Sequence, residues 1–164
     1  MVLYILDNVL EAKATELINL AGSGRISKKA NIVSTYVAYD KNKSILTYRS
    51  VDRNGSGRSH IVRLLVPKLF FNLLGKAKTK EQIIKSLLNN DGVRISCSCE
   101  SFKYYFSYLA TKNSYNMPDY IEKRFPKITN PMLKGSVCKH VAHVLYNLSS
   151  ITPSSLIASL SDKQ

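Results

Sequence analysis

An α+β fold, an antiparallel sheet of three to four strands with helices on one face, is predicted by three observations. Residues 32–39, 44–51 and 60–66 are rich in β-branched and aromatic types and are separated by turn signals. Apolar residues recur at helical spacing along 7–21, 79–88 and 100–109. Cys97-Ser98-Cys99 is followed, 38 residues later, by Cys138-Lys139-His140, which uses every cysteine of the chain. Three thiolates and an imidazole complete a tetrahedron, so a Cys3His zinc (Zn2+) site is expected to staple the sheet to a helix.

The 164 residues, 45% of them hydrophobic, suffice for one domain with a core and are short for two. Asp7 caps a first helix running to Ala21, and Gly22-Ser23-Gly24 ends it; without a GK[ST] ending, this is a cap and linker and not a phosphate loop. Asp40-Lys41-Asn42-Lys43 and the longer 52–59 loop join the three strands as a meander, and Pro67 stops the third. Arg63 shares a strand face with Ile61 and Leu65, which suggests a face lying partly at an edge. Lys68–Leu74 reads as a short helix. Thr79 and Gln82 form a capping box for the next, with Ile83, Ile84, Leu87 and Leu88 as its stripe and 89–92 as its end.

Residues 93–97 enter as a fourth strand. Its period-two geometry sends Cys97 and Cys99 to one side. Glu100–Leu109 reads as a helix whose Phe102, Tyr105, Phe106 and Leu109 pack against the metal helix, leaving Tyr104 and Tyr108 on another face. Pro118, Pro126, Pro131 and Gly135 exclude a long helix from 117–137, so this is an extended arm, either a contact surface or a wrap around its own core. Lys139–Leu148 is a helix whose start holds Cys138 and favours its thiolate. His140 is the expected fourth ligand; His143, three residues on, is the alternative ligand or a second-layer partner, and His60 is structural. Thr152-Pro153 opens a last short helix. The resulting divisions are 1–24, 25–92, 93–148 and 149–164 of a single domain.

CxC followed after an insert by CxH resembles the SWIM-type zinc domain, on Cys97, Cys99, Cys138 and His140 and over roughly residues 93–148. The resemblance implies a hairpin carrying the CxC, a helix carrying the CxH, and binding to DNA or protein without catalysis. The 38-residue gap is longer than is usual in that family. Residues 99–104, 127–131 and 137–140 also resemble, more loosely, SWIM-like small proteins of tailed bacteriophages, which implies a viral origin.

The net charge is +13, and it is concentrated: residues 25–90 carry 14 basic and 3 acidic groups. A polyanionic partner is expected, nucleic acid or an acidic protein surface, met by Arg49, Arg53, Arg58, Arg63 and Lys68. No paired carboxylates, nucleophile elbow or HExxH motif is present, and Glu100 is the one acid beside the metal motif in sequence. The charge and the absent motifs favour a non-enzymatic structural or assembly protein or, alternatively, a DNA-binding module, and the phage resemblance implies that the first is a virion component. No secretory leader or membrane span is expected, and the setting is a virion or a host cytoplasm.

Overall fold

The structure, a computed structural model, describes residues 31–53, 57–66, 94–135 and 137–161. The helices expected at 7–21, 68–74 and 79–88, and Lys68 with them, lie outside the described residues. Strands β1 (Ile32–Asp40), β2 (Ile45–Asp52), β3 (Ser59–Leu65) and β4 (Arg94–Cys97) form one sheet in that order, antiparallel throughout. Each expected strand is present within one residue at either end.

Alternation builds the sheet. On the inner face Leu46 and Tyr48 of β2, Val62 and Leu64 of β3, and Ile95 and Cys97 of β4 are buried. Helices α1 (Ser107–Lys112), α2 (Lys139–Ile151) and α3 (Ser154–Ser161) follow. Val141, Ala142, Val144, Leu145 and Leu148 of α2 close the core over the inner face. Pro153, expected inside the last helix, sits just before it: its carbonyl accepts from Leu156 N (3.0 Å) and Ile157 N (3.2 Å). The Tyr48 hydroxyl crosses the core to Thr152 Oγ1 (2.7 Å), tying the end of α2 to the sheet.

Arg63 shares the outward face with Ile61 and Leu65 as expected, but β3 is an inner strand paired on both sides, so that face is not at an edge. Arg63 pairs there with Asp119 (2.7 Å) and donates to Ser96 Oγ (3.3 Å).

One helical expectation changes in detail. Phe102–Phe106 forms a π-helical turn ahead of α1, with Ser107 N bonded to Phe102 O, five residues back. A π turn takes in one residue more than an α turn, so the inward position after Phe102 falls on Ser107 and not on Tyr105. Ser107 is fully buried, whereas Tyr105 is 43% exposed. Phe102, Leu109 and Ala110 keep the core contact.

Candidate metal centre

The Cys97, Cys99, Cys138 and His140 ligand atoms all lie within 4.8 Å of one another, and all four residues are buried. Three elements bring them there. Cys97 ends β4 opposite Val62 of β3. Ser98 then holds the strand end in place: its N–H donates to Ile61 O (3.0 Å) and its Oγ accepts from Ile61 N (2.9 Å). Cys99 follows at the start of the helical segment, and its Sγ accepts from Phe102 N (3.2 Å). Cys138 is the residue that precedes the first turn of α2, with extended backbone (φ −73°, ψ 163°), and His140 lies inside that turn.

The donor set calls for a cation. At Cys97 a hydrogen bond with the Cys138 thiol pulls downward, but the bond and charge of Cys99, with burial, outweigh it and push the thiol up to about 12. Burial pushes Cys138 well above its ordinary range, and the neighbouring Cys97 and Cys99 sulfurs add to this. The thiols of Cys138 and Cys97 together hold Cys99 far below its ordinary value. A negative charge on one of these three close sulfurs thus disfavours charge on the other two. A positive ion between the sulfurs would offset that repulsion and add to the help expected from the helix start. The imidazole fits the same account. Its Nδ1 is 4.0 Å from Cys97 Sγ, and its Nε2 is buried without a hydrogen-bond partner among the described residues. An orphaned polar atom at that depth is unfavourable unless the ring serves as a ligand. The four residues are positioned to hold a metal ion.

His143 is not part of the group. It points along α2 to the sheet, where its Nδ1 meets Ser34 Oγ (2.9 Å), which in turn meets Ser50 Oγ (2.7 Å). Burial and then the neighbouring His140 lower its pKa below the ordinary 6.5. Unfolding frees the ring to take up a proton, so between the two pKa values the unfolded chain binds more protons and stability rises with pH. Stability present above about pH 6.5 is therefore expected to fall as the pH drops through the lowered value. Urea unfolding from pH 7.5 to 5 checks this against His143→Asn. Acid release of a metal is common to both proteins, and the difference between them should slope upward with pH for the wild type.

His60, expected to be structural, lies 37 residues before Cys97 in sequence. The structure sets its ring against that of His140, with centroids 4.5 Å apart, and burial and then His140 lower its pKa. The signal was available: Val62 faces inward opposite Cys97, so His60, two residues along, faces inward beside Cys99. Asp52 also arrives unannounced, on Lys139, so Glu100 is not the only acid nearby. A groove of about 360 Å3 over the centre is lined by these groups with Arg58 and Ser98.

The basic residues do not converge. Arg53 and Arg58 flank the β2–β3 loop, while Arg49 and Arg63 lie on the outward sheet face. No helix among the described residues is long and apolar enough to cross a membrane. No family model matches the chain, and no curated protein or solved structure does. The SWIM resemblance is carried by the ligand pattern alone.

Proposed function

We propose that this chain is a non-enzymatic assembly protein, a zinc-stapled module that docks on acidic surfaces of a larger particle. The observation that supports this reading is the donor set: three cysteines and a histidine, all buried, with their ligand atoms within 4.8 Å of one another, are enough to complete a tetrahedral site, and an ion so held would have no position for a substrate or an activated water. Three thiolates and one imidazole favour zinc among the common divalent ions. The 4.8 Å limit on ligand separations compares with about 3.8 Å between sulfurs on one tetrahedral zinc, so a small contraction would close the site. In this reading the ion's role is mechanical. It ties the end of β4 to the start of α2 and fixes both ends of the 38-residue insert between the two ligand pairs. We read the pattern as a SWIM-type site, and the looser likeness to tailed-phage proteins makes a virion the particle we favour.

A second reading, nucleic-acid binding, draws on the sheet register. Arg49 of β2, Arg63 of β3 and Arg94 of β4 step diagonally across the outward face, each one strand over and two residues along. Such steps are about 7–8 Å, close to the spacing of phosphates along a strand of nucleic acid.

Titrating zinc-loaded protein with duplex and single-stranded DNA across a salt series tests the two. The assembly reading expects one zinc per chain and DNA affinity that collapses by physiological salt. Affinity surviving there, and falling in an Arg49→Ala/Arg63→Ala/Arg94→Ala variant, would replace it with the second reading.

A further inference from the structure

The segment from Pro118 to Gly135 is held by hydrogen bonds, yet it points its largest apolar side chains at solvent. The shape is held from both ends. Asn116 donates to Tyr120 O (2.7 Å) and Thr111 Oγ1 (2.9 Å), and Glu122 N donates to the same hydroxyl (3.3 Å). Further along, Thr129 Oγ1 donates to Tyr104 O (2.6 Å) and Asn130 Nδ2 to Tyr105 O (3.0 Å), both on the π turn. Asn130 also closes a loop on itself, donating to Lys134 O (2.9 Å) and accepting from Lys134 N (2.9 Å). Phe125 stacks edge-on against Tyr108, with centroids 5.5 Å apart. Between these anchors Ile128 is 94% exposed, Met132 74%, Ile121 58% and Phe125 42%. Isolated exposed apolar residues are ordinary, but four on one hydrogen-bonded arm of about 20 residues are already held in place for contact.

The charge around them has one sign. Both acids of the arm are taken up locally, Asp119 by Arg63 and Glu122 by Arg124. Lys123, Lys127 and Lys134 on the arm, and Lys103 and Lys112 beside it, are exposed and have no carboxylate partner among the described residues.

We propose that this arm is a docking surface for an acidic protein segment with an apolar face, seating Ile128, Met132, Ile121 and Phe125 among carboxylates that meet the lysines. The inference rests on reading the chain as a partner-binding module and names the partner's chemistry. Charge complementarity selects the acidic partner, and it disfavours a second copy of a +13 chain. The aliphatic character selects protein over nucleic acid. Isoleucine and methionine have no ring face for a base to stack on, and phosphates offer them nothing. An apolar core ringed by charge is the ordinary anatomy of a protein contact.

The test pans a random 16-residue peptide library against the zinc-loaded protein, with counter-selection on Ile128→Ser/Met132→Ser. Both side chains are largely in solvent, so the variant should keep the wild-type metal content and melting temperature. The expected peptides carry apolar anchors between Asp and Glu, bind the wild type at least tenfold more tightly than the variant, and weaken as much on Lys123→Glu/Lys127→Glu. The proposal is overturned if no peptide separates wild type from variant. It is also overturned if a dT20 oligonucleotide or phosphatidylserine vesicles, and not peptides, show the tenfold loss. Zinc content read on the same samples separates the two levels. A protein that binds no ion undoes the zinc-stapled reading itself, whereas an intact centre without peptide discrimination removes only the docking arm.

Discussion

Cys138→Ser is expected to abolish metal binding and to unfold the protein from α2 outward. Cys138 is buried at the start of α2, and α2 supplies Val141, Val144, Leu145 and Leu148 to the core shared with the sheet. A metal bound only by the folded chain contributes its binding free energy to folding, about 10–16 kcal/mol in small zinc modules at neutral pH. Not all of this is lost here, because the α2–sheet core exists apart from the ion. A loss above about 4 kcal/mol is nevertheless expected, since removing one sulfur both weakens the ion and leaves a hydroxyl buried among thiols. Metal content by mass spectrometry and the melting temperature are the readouts, with a chelator on the wild type as the parallel case. Hydrogen exchange should show protection disappearing first from the Cys99–Lys112 segment and α2. A variant with stoichiometric metal and wild-type melting would end the account.

What the sequence made legible follows from how locally each feature is determined. The strands were legible because period-two alternation and turn residues act within a few positions, and each strand was placed within one residue of its observed ends. The metal group was legible because three cysteines and one paired histidine leave few other arrangements, and His140 rather than His143 joins them as expected. Tyr105 was misplaced because a π turn depends on which carbonyls the rest of the chain needs. Here those of Tyr104 and Tyr105 are required by Thr129 and Asn130, about 25 residues away in sequence. The nearness of His60 to His140 is not legible from motif spacing because strand register sets it, and period two from Val62 then settles its side. The asparagines that hold the insert carry no local signature at all. Nothing adjacent to Asn116 or Asn130 shows which distant carbonyl will arrive at its amide.

Asn116→Ala is expected to lower stability by about 2–4 kcal/mol while leaving the metal in place. Asn116 is buried beside β4, where its neighbours continue the sheet: Ile95 N donates to Tyr115 O (2.8 Å) and Met117 N to Ile95 O (3.0 Å). Its amide donates to Tyr120 O, Thr111 Oγ1 and Ser107 O (3.3 Å), and its Oδ1 accepts from Met117 N (3.1 Å). Alanine removes all four contacts, and each intramolecular hydrogen bond contributes about 0.5–1.5 kcal/mol net. Asn116→Asp is the sharper comparison. It keeps size and polarity but cannot donate, and it turns an ionised oxygen toward two carbonyls. If the residue served only as a polar filler, Asp would be tolerated. If it is the clamp between α1 and the arm, Asp should be at least as damaging as Ala. Urea midpoints with metal content decide it. Both variants should retain one ion per chain, because the four ligands sit on β4, the adjoining turn and α2, and none of these is held by Asn116. Loss of the arm's order with the centre intact would show that the ligand group secures the two ends of the insert and the asparagine clamp its middle.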